Sequence, residues 1–399
     1  MLITDEEQSI LDGEGGEGRQ WAMELLVGLG NIFDAEDLVP IGSAQLAGVS
    51  YKTIGEAGLN WLRDISRISV VSVPSMLNPA GMDPNRWQEM GVPEAFAAKQ
   101  RSILRAYNRM GVELTCTCTP YLIGRSPAFG EHVAWSESNA VSYCNSVLGA
   151  RTNREGGPSA LAAAIVGKTP RYGLHLPQNR VPTAVVRVDP GETNVDYGAL
   201  GVLVGRELGN AIPFFHGIRP TQDELKSLGA AMAASGAIPL FNVTDVTPEA
   251  KAGLAPEPGL EELSVGPEQL ADATRSLSTT IKEKDVDLIT LGCPHLSIDE
   301  LEEVAEFLRG KRKRADAPDL WLCTSKEVRK RAPEAVKIIE EFGKVLVDTC
   351  MVVAPIEEVA SISATNSGKA ATYLPLDAFC SQKVLYRSTP MLLSLMVEE

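Results

Sequence analysis

Three cysteines stand where a short apolar or β-branched run gives way to a loop. Cys118 lies in Thr115-Cys116-Thr117-Cys118-Thr119-Pro120-Tyr121, Cys293 in Leu291-Gly292-Cys293-Pro294-His295, and Cys350 in Val347-Asp348-Thr349-Cys350-Met351. Loops at the carboxyl ends of parallel strands converge on ligands, so three thiols placed there can meet although distant in sequence. Thiolates are soft ligands suited to iron–sulfur chemistry. Three of them hold three corners of a [4Fe–4S] core and leave one iron open to polarise a substrate hydroxyl. The pattern does not select the trio by itself. Cys323 also closes a strand, Cys116 is expected on the same side as Cys118, and a strand cysteine is commonly a small core residue. His295, beside Cys293, reads as a general acid, a donor to a cluster sulfur or a satisfied loop histidine. Lys369, in Asn366-Ser367-Gly368-Lys369-Ala370, sits in a glycine-containing loop suited to an anion, or is a surface lysine.

Composition narrows the chemistry. Seven cysteines, an odd count, and no export signal point to a reducing, cytoplasmic setting where thiols serve metals or catalysis. Four histidines (132, 175, 216 and 295) supply a His-rich zinc site poorly. A net charge of −15 argues against a nucleic-acid partner or an anionic membrane surface. The basic run Lys311 to Arg314 reads as a solvated loop. Tyr197–Phe215 is interrupted by Arg206 and Glu207, which argues against a membrane span. Gly13-x-Gly15-x-x-Gly18 spells a dinucleotide fingerprint but follows a helical pattern, not the strand that motif needs. No Gly-x-Ser-x-Gly elbow supports a hydrolase.

The elements that must position these residues alternate between helix and strand, an α/β pattern. Residues 4–30 read as helix, opened by a Thr4–Glu7 capping box and interrupted at Gly13–Gly18. Strands are expected at Ile65–Val73, Val112–Cys118, Thr183–Val188 and Ala237–Val243, and a helix over Pro93–Met110. Strand Val286–Leu291, helix Ile298–Leu308, strand Asp319–Cys323, helix Lys326–Phe342 and strand Val345–Val347 follow, the succession of a parallel sheet flanked by helices. The expected division is an α/β region over 1–246, possibly two subdomains, a Pro/Gly/Glu-rich linker over 247–268, and a C-terminal α/β domain over 269–399 that carries Cys293 and Cys350.

Several stretches together resemble the aconitase X family: Asn78-Pro79-Ala80-Gly81-Met82-Asp83, Thr117-Cys118-Thr119-Pro120-Tyr121, Glu137-Ser138-Asn139-Ala140, Asn145 to Asn153, Gly292-Cys293-Pro294-His295, Asp348-Thr349-Cys350 and Ser367-Gly368-Lys369-Ala370. They extend over roughly residues 1–375; Pro375–Glu399 matches nothing. The resemblance implies an aconitase-like multi-domain α/β fold with a cluster at the carboxyl ends of strands. It selects Cys118, Cys293 and Cys350 as ligands and demotes Cys116, Cys144, Cys323 and Cys380. Ordinary aconitase has a Cys-x-x-Cys pair that is missing here, so [2Fe–2S] and [3Fe–4S] forms stay open beside [4Fe–4S].

The resemblance further implies a hydro-lyase. Two substrates belong to the family, mevalonate 5-phosphate and cis-3-hydroxy-L-proline, and the Asn78–Asp83 stretch looks like the enzymes that dehydrate the former. In some members a small swivelling domain is fused; a chain ending soon after Lys369 implies instead a separate small subunit supplying a serine base. Gly48, Val49, Ser50, Asn78, Pro79, Glu137, Ser138, Asn139 and Lys369 are the implied substrate-binding positions, with His295, Ser138 and Glu137 as candidate catalytic groups. Rival readings are a non-enzymatic iron–sulfur sensor or RNA-binding protein, disfavoured by the acidic balance and the lack of an aromatic–basic pattern, and a scaffold whose cysteines only pack.

Overall fold

The computed structural model describes residues 1–192, 194–280 and 283–398. Three parallel sheets organise it. In the first, strand Ala44–Leu46 lies between Ser75–Leu77 and Ala134–Trp135. In the second, the order is Asn242–Val243, Pro213–His216, Ala184–Val188, Glu261–Val265. The third has five strands in the order Lys344–Val347, Asp319–Thr324, Leu288–Leu291, Ile362–Thr365, Lys383–Tyr386. An antiparallel pair, Leu38–Pro40 with Lys168–Pro170, completes the pairing. Parallel strands need crossovers, and helices supply them on the sheet faces, as the alternating pattern implied.

Strand order in the third sheet matters for function. From Leu288–Leu291 the chain builds outward to one edge, then returns and builds to the other. The reversal falls between Leu288–Leu291 and Ile362–Thr365, the point at which an open α/β sheet leaves a crevice beyond its strand ends. Leu288–Leu291 runs straight into Cys293, and Ile362–Thr365 straight into Lys369.

Close packing of small residues joins the helices. Tyr197–Leu208 and Gln222–Gly236 approach so closely that a Cβ on Gly201 would lie 2.7 Å from that of Ala231. Gly13 and Gly15 form the turn between helices Asp5–Leu11 and Glu17–Ile32, and a Cβ on Gly18 would meet the Ile68 carbonyl at 2.2 Å. That glycine motif therefore serves helix packing and binds no nucleotide through a strand–turn–helix.

Several local expectations give way. Ile65–Val73, expected as a strand, belongs as far as Ile68 to the helix Tyr51–Ile68. Its buried Leu59, Leu62, Ile65 and Ser66 follow a helical spacing, which outweighs the β-branched residues. Val112–Cys118 lies along the Ser75–Leu77 edge, with Glu113 N donating to Ser75 O and Thr117 N to Leu77 O. It is not a regular strand, because Cys116 has φ +43°. The alternation that would put Cys116 beside Cys118 is thereby broken. Ala237–Val243 contracts to Asn242–Val243. Lys326–Phe342 is two helices, Lys326–Arg331 and Pro333–Ile339, split where Pro333 lacks an amide hydrogen. The stretch 247–268, read from composition as a linker, contains Glu261–Val265, which pairs with Ala184–Val188 in the second sheet. In the basic run, Lys311, Arg312 and Lys313 are exposed and Arg314 pairs with Asp316. Among the described residues no helix is long and apolar enough to cross a membrane.

Candidate active site

A cavity of about 220 Å³ opens where the first and third sheets meet. Its wall includes Cys118, Cys293 and Cys350 together with Asn78, Pro79, Glu137, Ser138, Asn139 and Lys369. Of seven free, buried cysteines, these are the three that line it. Backbone contacts set each one. Ala80 N donates to Asp348 O at 2.8 Å, stitching the Asn78–Asp83 loop to the segment that carries Cys350. Ser367 Oγ donates to Cys293 O and caps the helix Gly368–Tyr373, so Lys369 is fixed relative to Cys293. Asn139 Nδ2 donates to Cys118 O at 2.9 Å from the first turn of helix Ser138–Ser146. Gly292 has φ +98°, and a Cβ there would lie 2.1 Å from Cys323 O, so only glycine can lead the strand into Cys293.

One buried ion pair dominates the electrostatics. Lys369 Nζ bonds Glu137 Oε1, and also Ser138 Oγ at 3.2 Å and Asn139 Oδ1 at 3.1 Å. Glu137 Oε2 accepts from Asn78 Nδ2 at 2.6 Å. Burial alone would raise the Glu137 carboxyl, but the charge and hydrogen bond of Lys369, with Asn78, hold it below its ordinary value. Burial works against the Lys369 ammonium, yet Glu137 and then Cys293 keep it protonated well above the usual lysine range. Asn78 Oδ1 is buried without a protein partner, so it is available to a ligand.

The thiols suit a metal core. Burial, then the charges of Glu137 and Cys350, push Cys118 up to about 12. Cys350 is raised first by its hydrogen bond with Cys293 and then by burial. Such protons leave when a metal takes the sulfur. Among the described residues no three His, Cys, Asp or Glu side chains close on one ion position. A [4Fe–4S] or [3Fe–4S] core takes one thiolate per iron, so ligands ranged around a cavity fit it better than a single ion.

The remaining candidates stand elsewhere. His295 is fully buried behind the wall: its Nε2 meets Thr349 O at 2.7 Å and its Nδ1 meets Thr117 Oγ1 at 2.9 Å. Burial drives its pKa down to about 4, so the ring is neutral. That placement does not suit the proton donor expected from the sequence. Gly48, Val49 and Ser50 lie one layer back. Ser50 Oγ donates to Val353 O at 2.8 Å, and Gln100 Nε2 donates to Val49 O at 2.7 Å, so the turn braces the segment after Cys350. Cys116, Cys144 and Cys323 are buried off the cavity, and Cys380 Sγ accepts from Lys52 Nζ at 3.3 Å. Ser136, Val352, Val353, Tyr373 and Phe379 line the cavity without having been expected. Ser136 abuts the Glu137–Asn139 stretch and Tyr373 follows Lys369 by one helical turn, so both were within reach of the pattern; Phe379 left no signal.

The relatives of this chain are consistent throughout its length. Models of the aconitase X first, second and third domains match residues 1–178, 182–275 and 286–398. The chain is 50% identical to the phosphomevalonate dehydratase large subunit of Methanocaldococcus jannaschii, covering 97% of this chain and 98% of that protein. It is 36% identical to the cis-3-hydroxy-L-proline dehydratase of Pseudomonas aeruginosa, covering 92% of this chain and 66% of that one. The crystal structure of holo-form aconitase X from Thermococcus kodakaraensis superposes with a TM-score of 0.90 at 44% identity, covering 98% of this chain and 99% of that one. The fold is that of an aconitase X dehydratase. The chain belongs to the aconitase X family.

Proposed function

We propose that this chain is the large subunit of a hydro-lyase that dehydrates (R)-mevalonate 5-phosphate to trans-anhydromevalonate 5-phosphate. The observation that carries the chemistry is the common cavity of Cys118, Cys293 and Cys350 beside the Glu137–Lys369 pair. The substrate follows from kinship. Four relatives at 47–51% identity bear the name phosphomevalonate dehydratase large subunit, whereas those named for cis-3-hydroxy-L-proline stand at 34–36%. Their designation as large subunits also supports a separate small partner, here assigned the swivelling domain and its serine base.

Cys118, Cys293 and Cys350 would hold an iron–sulfur cluster, of the [4Fe–4S] type if each thiolate takes one iron and one corner stays free. When bound, such a cluster supplies a Lewis acid for the substrate hydroxyl. The chain's own groups orient the substrate. Lys369 Nζ, protonated and beside both Cys118 and Cys293, pairs with an anionic group of the hydroxy acid. Asn78 Oδ1 accepts a substrate hydroxyl hydrogen. Glu137, kept as a carboxylate, accepts from Lys369 at Oε1 and from Asn78 at Oε2 and so fixes both against the substrate. Ser138 Oγ, between Glu137 and Lys369, completes the polar side. Val352, Val353, Tyr373 and Phe379 form the apolar side and exclude water from the cavity.

The test is dehydration by the anaerobically purified chain co-expressed with its small subunit, with both candidate substrates compared. Turnover of mevalonate 5-phosphate is expected. Turnover of cis-3-hydroxy-L-proline alone would overturn the substrate assignment, and iron binding without turnover of either would favour a sensor.

A further inference from the structure

We propose that His295 is a positioning residue that ties together the three cysteine-bearing segments and so sets the geometry of the metal cradle. The inference rests on the reading that Cys118, Cys293 and Cys350 hold the cluster.

The residue touches all three segments. Its backbone N–H donates to Cys118 Sγ at 3.3 Å. It follows Cys293 by two positions in the chain. Its Nε2 lies 2.7 Å from the carbonyl of Thr349, the neighbour of Cys350. A carbonyl oxygen only accepts, so Nε2 carries the hydrogen, and in the neutral ring Nδ1 is the acceptor. Thr117 Oγ1, at 2.9 Å, then donates to Nδ1 from the residue before Cys118. Both ring nitrogens are thus engaged with protein, and no ring proton faces the cavity. Behind the ring, Lys226 Nζ donates to His295 O at 3.3 Å while held by Asp223 at 2.8 Å and by Glu300. The histidine is therefore fixed from the second sheet's helix Gln222–Gly236 as well. A buried group that bridges ligand-bearing loops controls ligand spacing, and a backbone N–H on a ligand sulfur adjusts the electronic character of the core.

The test uses the full chain after anaerobic reconstitution with iron and sulfide, comparing parent, His295→Gln and Thr117→Val. Valine at 117 keeps the shape of threonine but removes its bond to the ring and also its bonds to Thr119 Oγ1 and Thr119 N, each at 3.2 Å. Thr119→Val, which leaves the ring's bond in place, is therefore measured beside it and should release iron as the parent does. His295→Gln and Thr117→Val should both release iron to a chelator faster than the parent, the former by roughly 10–100-fold and the latter by less. Both should alter the cluster's electron paramagnetic resonance spectrum. In complex with the small subunit, turnover per bound cluster should keep the parent's pH profile. A His295→Gln chain with parental iron release and spectrum but no turnover would overturn the inference and restore a proton-donor role. Should His295→Gln fail to fold, a folded Thr117→Val chain with parental iron release would overturn it equally. A parent that binds no iron would remove the reading beneath it as well.

Discussion

Replacing Lys369 by Met should convert a chain indifferent to mild alkali into one that alkali destabilises. Lys369 and Glu137 are both nearly buried, with side-chain exposures of 9% and 13%. Removing one member of such a pair leaves the other charged in a poor solvent, which costs about 3–5 kcal/mol. The carboxyl can avoid that cost by taking a proton, and the proton's own cost sets a ceiling. From an ordinary carboxyl value of 4.5, at 1.36 kcal/mol per pH unit, neutralisation costs about 4.8 kcal/mol at pH 8 and about 1.4 kcal/mol at pH 5.5. In the parent, Glu137 is depressed, so its contribution is present above the unfolded value and disappears only as pH falls through the depressed one. In Lys369→Met, burial prevails and the carboxyl is raised; stability is then greatest in acid and falls as pH rises through the ordinary value. Urea midpoints at pH 5.5 and pH 8 should therefore diverge for the variant far more than for the parent. Adding Glu137→Gln should abolish the divergence. A variant equally weakened at both pH values, or unimproved by the second substitution, would refute the argument.

Other consequences follow from single contacts. Gly292→Ala places a methyl against Cys323 O and displaces Cys293, so iron per chain should fall well below the parent's by metal analysis. Tyr386 OH donates to Asp196 Oδ1 at 2.7 Å, joining the third sheet to the cap of helix Tyr197–Leu208. Tyr386→Phe should cost about 1.5–3 kcal/mol, read as a lowered urea midpoint, because the bond is to a carboxylate. Cys144→Ser should retain iron and turnover, since Cys144 lies off the cavity, whereas Ser at 118, 293 or 350 should lose both.

Sequence pattern carried three strands of the third sheet nearly to their boundaries, because buried parallel strands separated by amphipathic helices leave strong, distinct periods, but Ile362–Thr365 and Lys383–Tyr386 were not expected. It served the first sheet poorly. Strands of two or three residues, such as Ala134–Trp135 and Ser75–Leu77, are too short to leave a period. The helix Tyr51–Ile68 escaped because β-branched residues near its end suggested a strand, and Glu261–Val265 escaped because its strand is half exposed and charged. At the site, residue type suggested thiolate chemistry but did not separate Cys118 from Cys116 or Cys350 from Cys323. Folding separates them: Cys116 turns away at its positive φ, and Cys323 packs within the third sheet. The sequence offered three readings of His295 without choosing among them. Its partners Thr117 and Thr349 come from segments 178 and 54 residues away, and only the assembled fold brings them to opposite sides of one ring.

The central claim is that three distant cysteines share one iron-containing core. Anomalous diffraction at the iron edge, from crystals of the anaerobically reconstituted chain, tests it most directly. A single multi-iron peak bounded by Cys118, Cys293 and Cys350 Sγ, with the side toward Asn78 and Lys369 free of protein ligands, is the expected result. Iron held by any other set of side chains, or scattered over separate sites, would contradict the account.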